Sequence, residues 1–164
     1  MPVLLRVEGG PFPGVDGRTL ERRATKMLAL LEKERAELSV ALVSDEVIHE
    51  LNRTYRHKNR PTDVLAFAMS EGELGEHAGD LLGDVIVSIP TAKRQAEAAG
   101  RPLLAECTML LAHGLLHLLG WDHDTAARDR AMRKETDRLV AAAEARTRQI
   151  PGNTQRQGDV RRSR

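Results

Sequence analysis

Three of the six histidines in this 164-residue chain lie within one segment of eleven residues, at His113, His117 and His123. His113 and His117 are four residues apart, so a helix would place both imidazoles on one face, one turn apart. Gly120 predicts the end of that helix, because glycine readily adopts the left-handed conformation found at helix ends. The turn can then return His123 to the same point. Three imidazoles with one open position are typical of a catalytic zinc site.

The spacing of these histidines also occurs in zinc peptidases with the pattern H-E-x-x-H-x-x-G-x-x-H. The glutamate after the first histidine is the general base of those peptidases, and Gly114 stands in its place here. A metallopeptidase therefore remains an alternative that has the metal ligands but lacks the base. Zinc is the expected metal, although three histidines would also accept other divalent transition metals such as nickel, cobalt or copper.

The composition favours one cytoplasmic domain. The length is typical of a single domain, and an apolar fraction of 41% is sufficient for a core. The single cysteine, Cys107, excludes an internal disulfide and fits a reducing compartment. No apolar stretch reaches membrane-spanning length, so no membrane partner is expected. Only four residues are aromatic, which disfavours extensive base stacking on a nucleic acid.

The formal net charge of +1 does not indicate a general polyanion-binding protein, but the basic residues are unevenly distributed. Residues 151–164 contain four arginines and one aspartate, so this segment carries +3 and the remainder of the chain carries −2. We expect residues 1–150 to form one metal-dependent domain and residues 151–164 to form a disordered, Arg-rich tail. RNA binding by the domain would then depend on a local basic patch, for which the candidates are Arg53, Arg56, Lys58 and Arg60.

Hydrophobic periodicity and turn residues predict an α+β fold, in which a small sheet of about four strands packs with about five helices. Strands are expected at about residues 2–7, 37–43, 63–69 and 81–89. Helices are expected at about residues 16–34, 44–55, 90–100, 101–119 and 124–146, and a Gly- and Glu-rich loop at 70–80. The helix that carries His113 and His117 is apolar nearly all round, which is typical of a central, buried helix. Metal ligands on such a helix would be held rigidly.

Three ordered motifs resemble those of one protein family. The segment from His113 to His123 resembles the H-G-x-L-H-L-x-G-[YW]-D-H signature of the bacterial YbeY endoribonucleases. Residues 51–56 and 61–67 are similar to the L-N-x-x-[YF]-R and P-T-D-V-L-S-F segments of that family, and residues 82–85 to its L-G-D-I segment. Ala66 stands where the family commonly has serine, and Trp121 where it commonly has tyrosine.

The resemblance implies a zinc-dependent, single-strand-specific endoribonuclease of the bacterial cytoplasm. It implies a role in ribosomal RNA processing, notably maturation of the 3′ end of the small-subunit RNA, and in ribosome quality control. The implied partners are single-stranded RNA, ribosomal RNA and the small ribosomal subunit. The implied metal ligands are His113, His117 and His123, and the implied catalytic arginine is Arg56. A guanidinium suits this role because it binds two phosphate oxygens at once, although a cation at a helix end could equally be solvated.

The residue that moves protons is less well specified. Asp84, His57 and Asp122 are candidates for proton transfer or for holding a ligand histidine through its second nitrogen. Asp122 could instead cap the last helix, and the ribose 2′-hydroxyl could act as the nucleophile. RNA binding is assigned to Arg53, Lys58 and Arg60. Because few candidate catalytic residues exist beyond the metal ligands, a ribosome-assembly binding module with a structural zinc remains a further alternative.

Overall fold

A computed structural model describes residues 3–69 and 80–145 of the chain. These residues form a four-stranded sheet and five helices, which confirms the predicted α+β fold. The strands are β1 (Val3–Glu8), β2 (Glu37–Val43), β3 (Val64–Ala68) and β4 (Leu81–Ser88). The helices are α1 (Gly17–Leu30), α2 (Asp45–Arg56), α3 (Ile89–Ala99), α4 (Leu103–Leu118) and α5 (Ala126–Glu144). The predicted tail at 151–164 and all but Asp80 of the predicted loop at 70–80 lie outside the described residues.

The sheet has the strand order β1-β2-β4-β3. Strand β2 runs parallel to both β1 and β4, whereas β3 pairs antiparallel with β4 and forms an edge of the sheet. The register places Val40 of β2 and Ala66 of β3 on either side of Val85 in β4. Because side chains alternate between the two faces of a strand, Val85 and its neighbour Ile86 point to opposite sides of the sheet.

The two faces of the sheet are covered unequally. The larger hydrophobic cluster joins one face to helices α1, α3, α4 and α5, through side chains such as Val85, Leu111 and Leu139. The smaller cluster lies on the other face, where Ile48 of helix α2 packs with Ile86. Among the described residues, no helix is long and apolar enough to cross a membrane.

Helix α4 is the central helix of the larger layer, as predicted. Buried side chains occur all round it, and it contacts β3, β4, α1, α3 and α5. At Gly114 the helix approaches the sheet so closely that a Cβ atom would lie 2.6 Å from Cγ1 of Val85. The helix that carries the first two histidines is therefore held against the sheet over its central turns.

Polar side chains cap the N-termini of four of the helices. Asp16, Ser44, Ser88 and Thr125 each accept a hydrogen bond from a backbone N–H in the first turn of α1, α2, α3 and α5, respectively. Such caps pair N–H groups that have no partner within the helix. Asp16 and Ser44 are the residues at which the first two helices were predicted to begin.

Several predicted boundaries differ from the structure by one or two residues, and the end of helix α1 differs by about four. Helix α1 ends at Leu30 rather than near residue 34, because Glu32 adopts a left-handed conformation at φ 58° and the Lys33 N–H bonds back to the Leu28 carbonyl. Strand β4 ends at Ser88 rather than residue 89, because Ser88 already serves as the cap of helix α3.

Candidate metal centre

The three histidines of the sequence motif lie together in the structure. Nε2 of His113 and Nε2 of His117 are 3.1 Å apart on helix α4, and His123 reaches them from the following loop. One ring nitrogen from each histidine lies within 4.8 Å of the corresponding atoms of the other two. The structure therefore confirms that the motif brings three potential ligands to one point.

The turn after helix α4 has the geometry that brings His123 back. Gly120 adopts a left-handed conformation with φ 94°. The Gly120 N–H donates to the His117 carbonyl at 3.0 Å, and the Trp121 N–H donates to the Leu116 carbonyl at 3.0 Å. These two bonds form the Schellman motif that commonly ends helices at glycine. Gly120 thus serves the predicted role in reversing the chain.

The donor set fits a zinc ion. Two nitrogen ligands of a tetrahedral zinc at 2.0–2.1 Å are separated by about 3.3 Å, which is close to the observed distance between His113 and His117. Burial is the main cause that lowers the pKa of both residues below the usual value for histidine, and positive charge on His123 would lower both further. The neutral imidazole that metal binding requires is therefore favoured. The side chain of His123 is exposed, so the site opens to solvent on that side.

Asp84 is not brought to the histidines, which corrects the expectation of a role beside them. It lies opposite Phe67 in the register of β3 and β4 and lines a groove of about 760 Å³ between the sheet and helix α2. Its neighbour Val85 faces helix α4 on the other side of the sheet. Because adjacent strand residues point to opposite faces, the sheet separates the Asp84 carboxylate from the histidines.

Asp122 does lie beside the ligands, but it has a different partner from those expected. Its Oδ1 accepts a hydrogen bond from the backbone N–H of His123 at 2.7 Å, and the cap of helix α5 is Thr125. Asp122 thus stabilises the loop that carries His123, rather than holding an imidazole or capping the helix. His57 ends helix α2 in a left-handed conformation at φ 59°, and its side chain is exposed.

A basic cleft of about 440 Å³ adjoins the histidines. It contains the His117 side chain beside three of the predicted RNA-contacting residues, Arg56, Lys58 and Arg60. Among residues 3–69 and 80–145, no carboxylate lies within 4.0 Å of these three cations. Arg53 lies outside the cleft, where it pairs with Glu50 on the exposed surface of helix α2. The cleft, without Arg53, therefore presents a charge of +3 next to the candidate metal ligands.

Arg56 is fixed by two contacts with strand β3. One Nη donates to the carbonyl of Ala66 at 2.6 Å, and the guanidinium lies 4.8 Å from the centre of the Phe67 ring. Arg56 is also close enough to His117 for its charge to contribute to the lowered pKa of that histidine. Arg56 therefore lies beside one of the candidate metal ligands, as the catalytic role expected of it would require.

Asn52 is a cleft residue that the sequence analysis missed. It is 2% exposed, and its Nδ2 donates to the carbonyl of Arg60 at 2.8 Å, while its own carbonyl accepts from the N–H of Lys58 at 3.1 Å. The loop after helix α2 also carries Asn59, whose Oδ1 lies 2.7 Å from Nε2 of His49 at the exposed surface. The sequence signal that could have identified Asn52 is its place as a polar residue within the buried face of the amphipathic helix α2.

Gly114 has a role in packing that comparison of the sequence with the peptidase pattern did not reveal. Its Cα faces the sheet, and an added Cβ would also approach Cγ2 of Val64 to 3.2 Å. A side chain at this position would therefore start against the sheet, so Gly114 is required for the close approach of helix α4.

Comparisons with known proteins agree with the motif resemblance. A sequence model of the family described as Endoribonuclease YbeY matches residues 14–144. A protein named Endoribonuclease YbeY from Anaeromyxobacter dehalogenans is 49% identical over 125 residues, which are 76% of this chain and 63% of that protein. The match thus spans less than two thirds of that relative's length. Proteins of the same name from Moorella thermoacetica and Syntrophotalea carbinolica are 51% and 48% identical over 65% and 71% of this chain, and over 72% and 78% of their own lengths.

A solved structure shares the fold. The solution structure of TM1509 from Thermotoga maritima has a TM-score of 0.58 to this chain at 26% sequence identity. The similarity covers 85% of this chain and 89% of that one. The two chains therefore share the fold over most of their lengths.

Proposed function

This chain belongs to the YbeY endoribonuclease family, and from that premise we propose that it hydrolyses phosphodiester bonds within single-stranded RNA. The observation that carries the proposal is the position of His117, which is both a candidate metal ligand and part of the wall of the basic cleft. A phosphate that enters the cleft would meet three cations beside the three histidines. The cleft therefore combines phosphate binding with a site for a catalytic metal.

The resident metal in this proposal is one zinc ion per chain, held by His113, His117 and His123. A zinc ion there would polarise a phosphoryl oxygen and would lower the pKa of a coordinated water molecule to about 7. The histidines favour such an ion because burial lowers the pKa of His113 and His117 and thereby favours their neutral forms. Three nitrogen ligands leave a position for substrate, which a closed structural site would not.

Arg56 is the proposed catalytic residue of the cleft. One Nη is bound to the Ala66 carbonyl, so the other N–H groups of the guanidinium are presented from a fixed position. A guanidinium can bind two oxygens of one phosphate, which suits it to stabilise the negative charge that develops at phosphorus. Lys58 and Arg60 would bind neighbouring phosphates of the same strand and thereby position it.

The motif resemblance supports a more specific substrate, namely ribosomal RNA at the 3′ end of the small-subunit RNA. It also supports a role in ribosome quality control and a location in the bacterial cytoplasm. The single buried cysteine fits that compartment. Phosphate contacts would provide most of the affinity, since the chain has only four aromatic residues with which to stack bases.

The decisive experiment is cleavage of end-labelled single-stranded RNA by the purified full-length protein. We expect cleavage that stops when a chelator is added and returns with zinc, no cleavage of a perfect duplex, and no activity in His117→Ala. Hydrolysis of casein by the same preparation would favour a metallopeptidase instead. Tight binding of small ribosomal subunits without any cleavage of RNA would favour an assembly factor with a structural zinc.

The metal assignment has its own test in the double variant His113→Ala/His117→Ala. We expect elemental analysis to find about one zinc per chain in the wild type and none in this variant, because a single imidazole cannot retain the ion. The matched control is His49→Ala, whose histidine contacts Asn59 and is not part of the three-histidine cluster. Full zinc occupancy in the double variant would refute the assignment.

A further inference from the structure

A second groove reaches the candidate metal ligands from the side of helix α5. It has a volume of about 510 Å³ and is bounded by His113 and His123 at one end. Its remaining lining comes from helices α4 and α5 and consists of Met109, Asp129, Met132, Arg133, Thr136 and Asp137. The α5 residues follow the spacing of one helix face, on which positions three or four apart are neighbours.

The two grooves meet the histidines at different points. The basic cleft contains His117, whereas the α5 groove contains His113 and His123. An endonuclease cleaves inside a strand, so nucleotides must be accommodated on both sides of the cleaved bond. The three histidines would therefore lie between two parts of the substrate, one in each groove.

The chemistry of the α5 groove differs from that of the basic cleft. Its charged side chains are Asp129, Arg133 and Asp137, which together carry −1, against +3 from Arg56, Lys58 and Arg60 in the cleft. A phosphate would be repelled from such a rim. The half-buried side chain of Met109 suits an aromatic ring, because thioether sulfurs make favourable contacts with aromatic rings, whereas Met132 is only 2% exposed and packs in the core.

We propose that the α5 groove is a nucleobase subsite for a nucleotide next to the cleaved bond, and that Asp137 selects a base with an exocyclic amino group. This inference rests on the proposed RNA cleavage. The Asp129 carboxylate is paired with Arg133 at 3.1 Å, and the Thr136 hydroxyl donates to the Met132 carbonyl at 2.8 Å. Asp137, in contrast, makes no side-chain hydrogen bond or ion pair with the described part of the chain.

An ionised carboxylate can only accept hydrogen bonds. Asp137 would therefore bind the amino group of cytosine, adenine or guanine, and would repel the carbonyl oxygen that uracil presents instead. The expected result is discrimination against uridine at one position beside the cut. Specificity would come from the α5 groove, while the phosphate contacts of the basic cleft would be independent of sequence.

The test maps the cuts that the zinc-loaded, full-length protein makes in a pool of single-stranded RNA of random sequence. We expect uridine to be depleted roughly five- to twentyfold at one position beside the cut, and Asp137→Asn to remove most of that depletion, because an amide can also donate to the uracil oxygen. Zinc content should stay close to that of the wild type, because Asp137 is not one of the three candidate metal ligands. The matched control Asp124→Asn changes an exposed carboxylate that pairs with Arg128 outside the groove, and its profile should remain that of the wild type.

A second readout measures binding apart from the chemistry. The zinc-loaded protein should bind a 2′-O-methyl pentanucleotide of cytidine more tightly than one of uridine, and Asp137→Asn should reduce the difference. Identical cleavage profiles and identical affinity ratios for wild type and Asp137→Asn would overturn the subsite while leaving RNA cleavage intact. Absence of cleavage in both proteins would instead refute the proposed function, and the subsite with it.

Discussion

At the scale of single residues, Arg56 is the cation whose position in the basic cleft is best defined. Its contacts with the Ala66 carbonyl and the Phe67 ring hold the guanidinium beside His117. We expect Arg56→Ala to retain the fold and the zinc while kcat/KM for RNA falls by about two to three orders of magnitude, as for other donors that stabilise a developing negative charge. Steady-state cleavage of a labelled oligonucleotide measures this loss.

One further variant separates the shape of the Arg56 side chain from its charge, and a second variant is a control outside the cleft. Arg56→Lys keeps a positive charge but cannot bind two phosphate oxygens at once, so it should recover only part of the activity. Arg53→Ala should stay near wild-type activity, because Arg53 pairs with Glu50 outside the cleft. The catalytic role would be untenable if Arg56→Ala cleaved RNA as fast as the wild type.

Gly114 should be required for packing rather than for chemistry. An alanine Cβ would lie 2.6 Å from Cγ1 of Val85, so we expect Gly114→Ala to lower the free energy of unfolding by about 1–3 kcal/mol. Without that clash, the same change inside a helix would stabilise by about 0.5–1 kcal/mol. Urea unfolding of the zinc-free proteins can distinguish the two signs.

The clash between an alanine at position 114 and Val85 should disappear when Val85 is shortened to alanine. In a Val85→Ala background, Gly114→Ala should be neutral or stabilising, because the alanine methyl group then occupies the space left by the valine. A loss of stability that is equal in both backgrounds would contradict the packing explanation, since it would not depend on Val85.

The metal ligands could be predicted from the sequence because their geometry is local. A spacing of four residues on one helix and a turn glycine determine where His113, His117 and His123 meet. Asp84 could not be placed in the same way. Val85, Ile86 and Val87 are all buried, so strand β4 shows no alternation that reveals which face meets helix α4. The assignment of Asp84 to one side of the sheet needed the tertiary structure.

At the scale of elements, the end of helix α2 and the loop that follows it form one positioning unit. Asn52 bonds the Arg60 carbonyl from within the helix, and this bond holds the segment that carries Lys58 and Arg60. We expect Asn52→Ala to lower the free energy of unfolding by about 1–3 kcal/mol, because it leaves a backbone carbonyl without its donor. RNA affinity, measured by fluorescence anisotropy on the zinc-loaded protein, should fall at the same time.

The matched control for this loop is Asn59→Ala. Asn59 bonds His49 at the exposed surface, so its loss should have a small effect on both stability and RNA affinity. Equal effects of the two substitutions would show that the buried bond of Asn52 does not position the loop. A loss of stability in Asn52→Ala with unchanged RNA affinity would likewise limit Asn52 to a role in folding.

Element types were predicted more accurately than some element boundaries. The spacing of apolar residues and the caps at Asp16 and Ser44 are local signals, and the structure contains both helices. The end of helix α1 was missed because apolar residues continue at helical spacing to Leu31, while the chain leaves the helix through a left-handed glutamate, Glu32. A glycine at that position would have signalled the turn.

At the scale of the whole molecule, the sheet separates the surface that carries the candidate metal ligands from the surface that carries Asp84. Helix α4 and the histidines lie on one side, between the basic cleft and the α5 groove, whereas the groove lined by Asp84 lies on the other. A substitution at Asp84 is therefore not expected to act directly on the metal centre. The central position of helix α4 fixes His113 and His117 through packing against the sheet, whereas His123 is positioned by the turn that follows the helix.

The Arg-rich segment 151–164 should contribute non-specific affinity for RNA and nothing to the chemistry. Its four arginines and one aspartate carry +3, and it contains few apolar residues that could join a core. We expect its deletion to leave thermal stability, zinc content and the cleavage pattern unchanged. The salt dependence of RNA binding should flatten by about 0.7 of a log–log unit for each phosphate that the truncated protein no longer neutralises. Replacement of the four arginines by glutamine, which keeps the length of the segment, should have the same effect as the deletion. If full-length and truncated proteins show the same salt slope, the segment has no role in RNA binding.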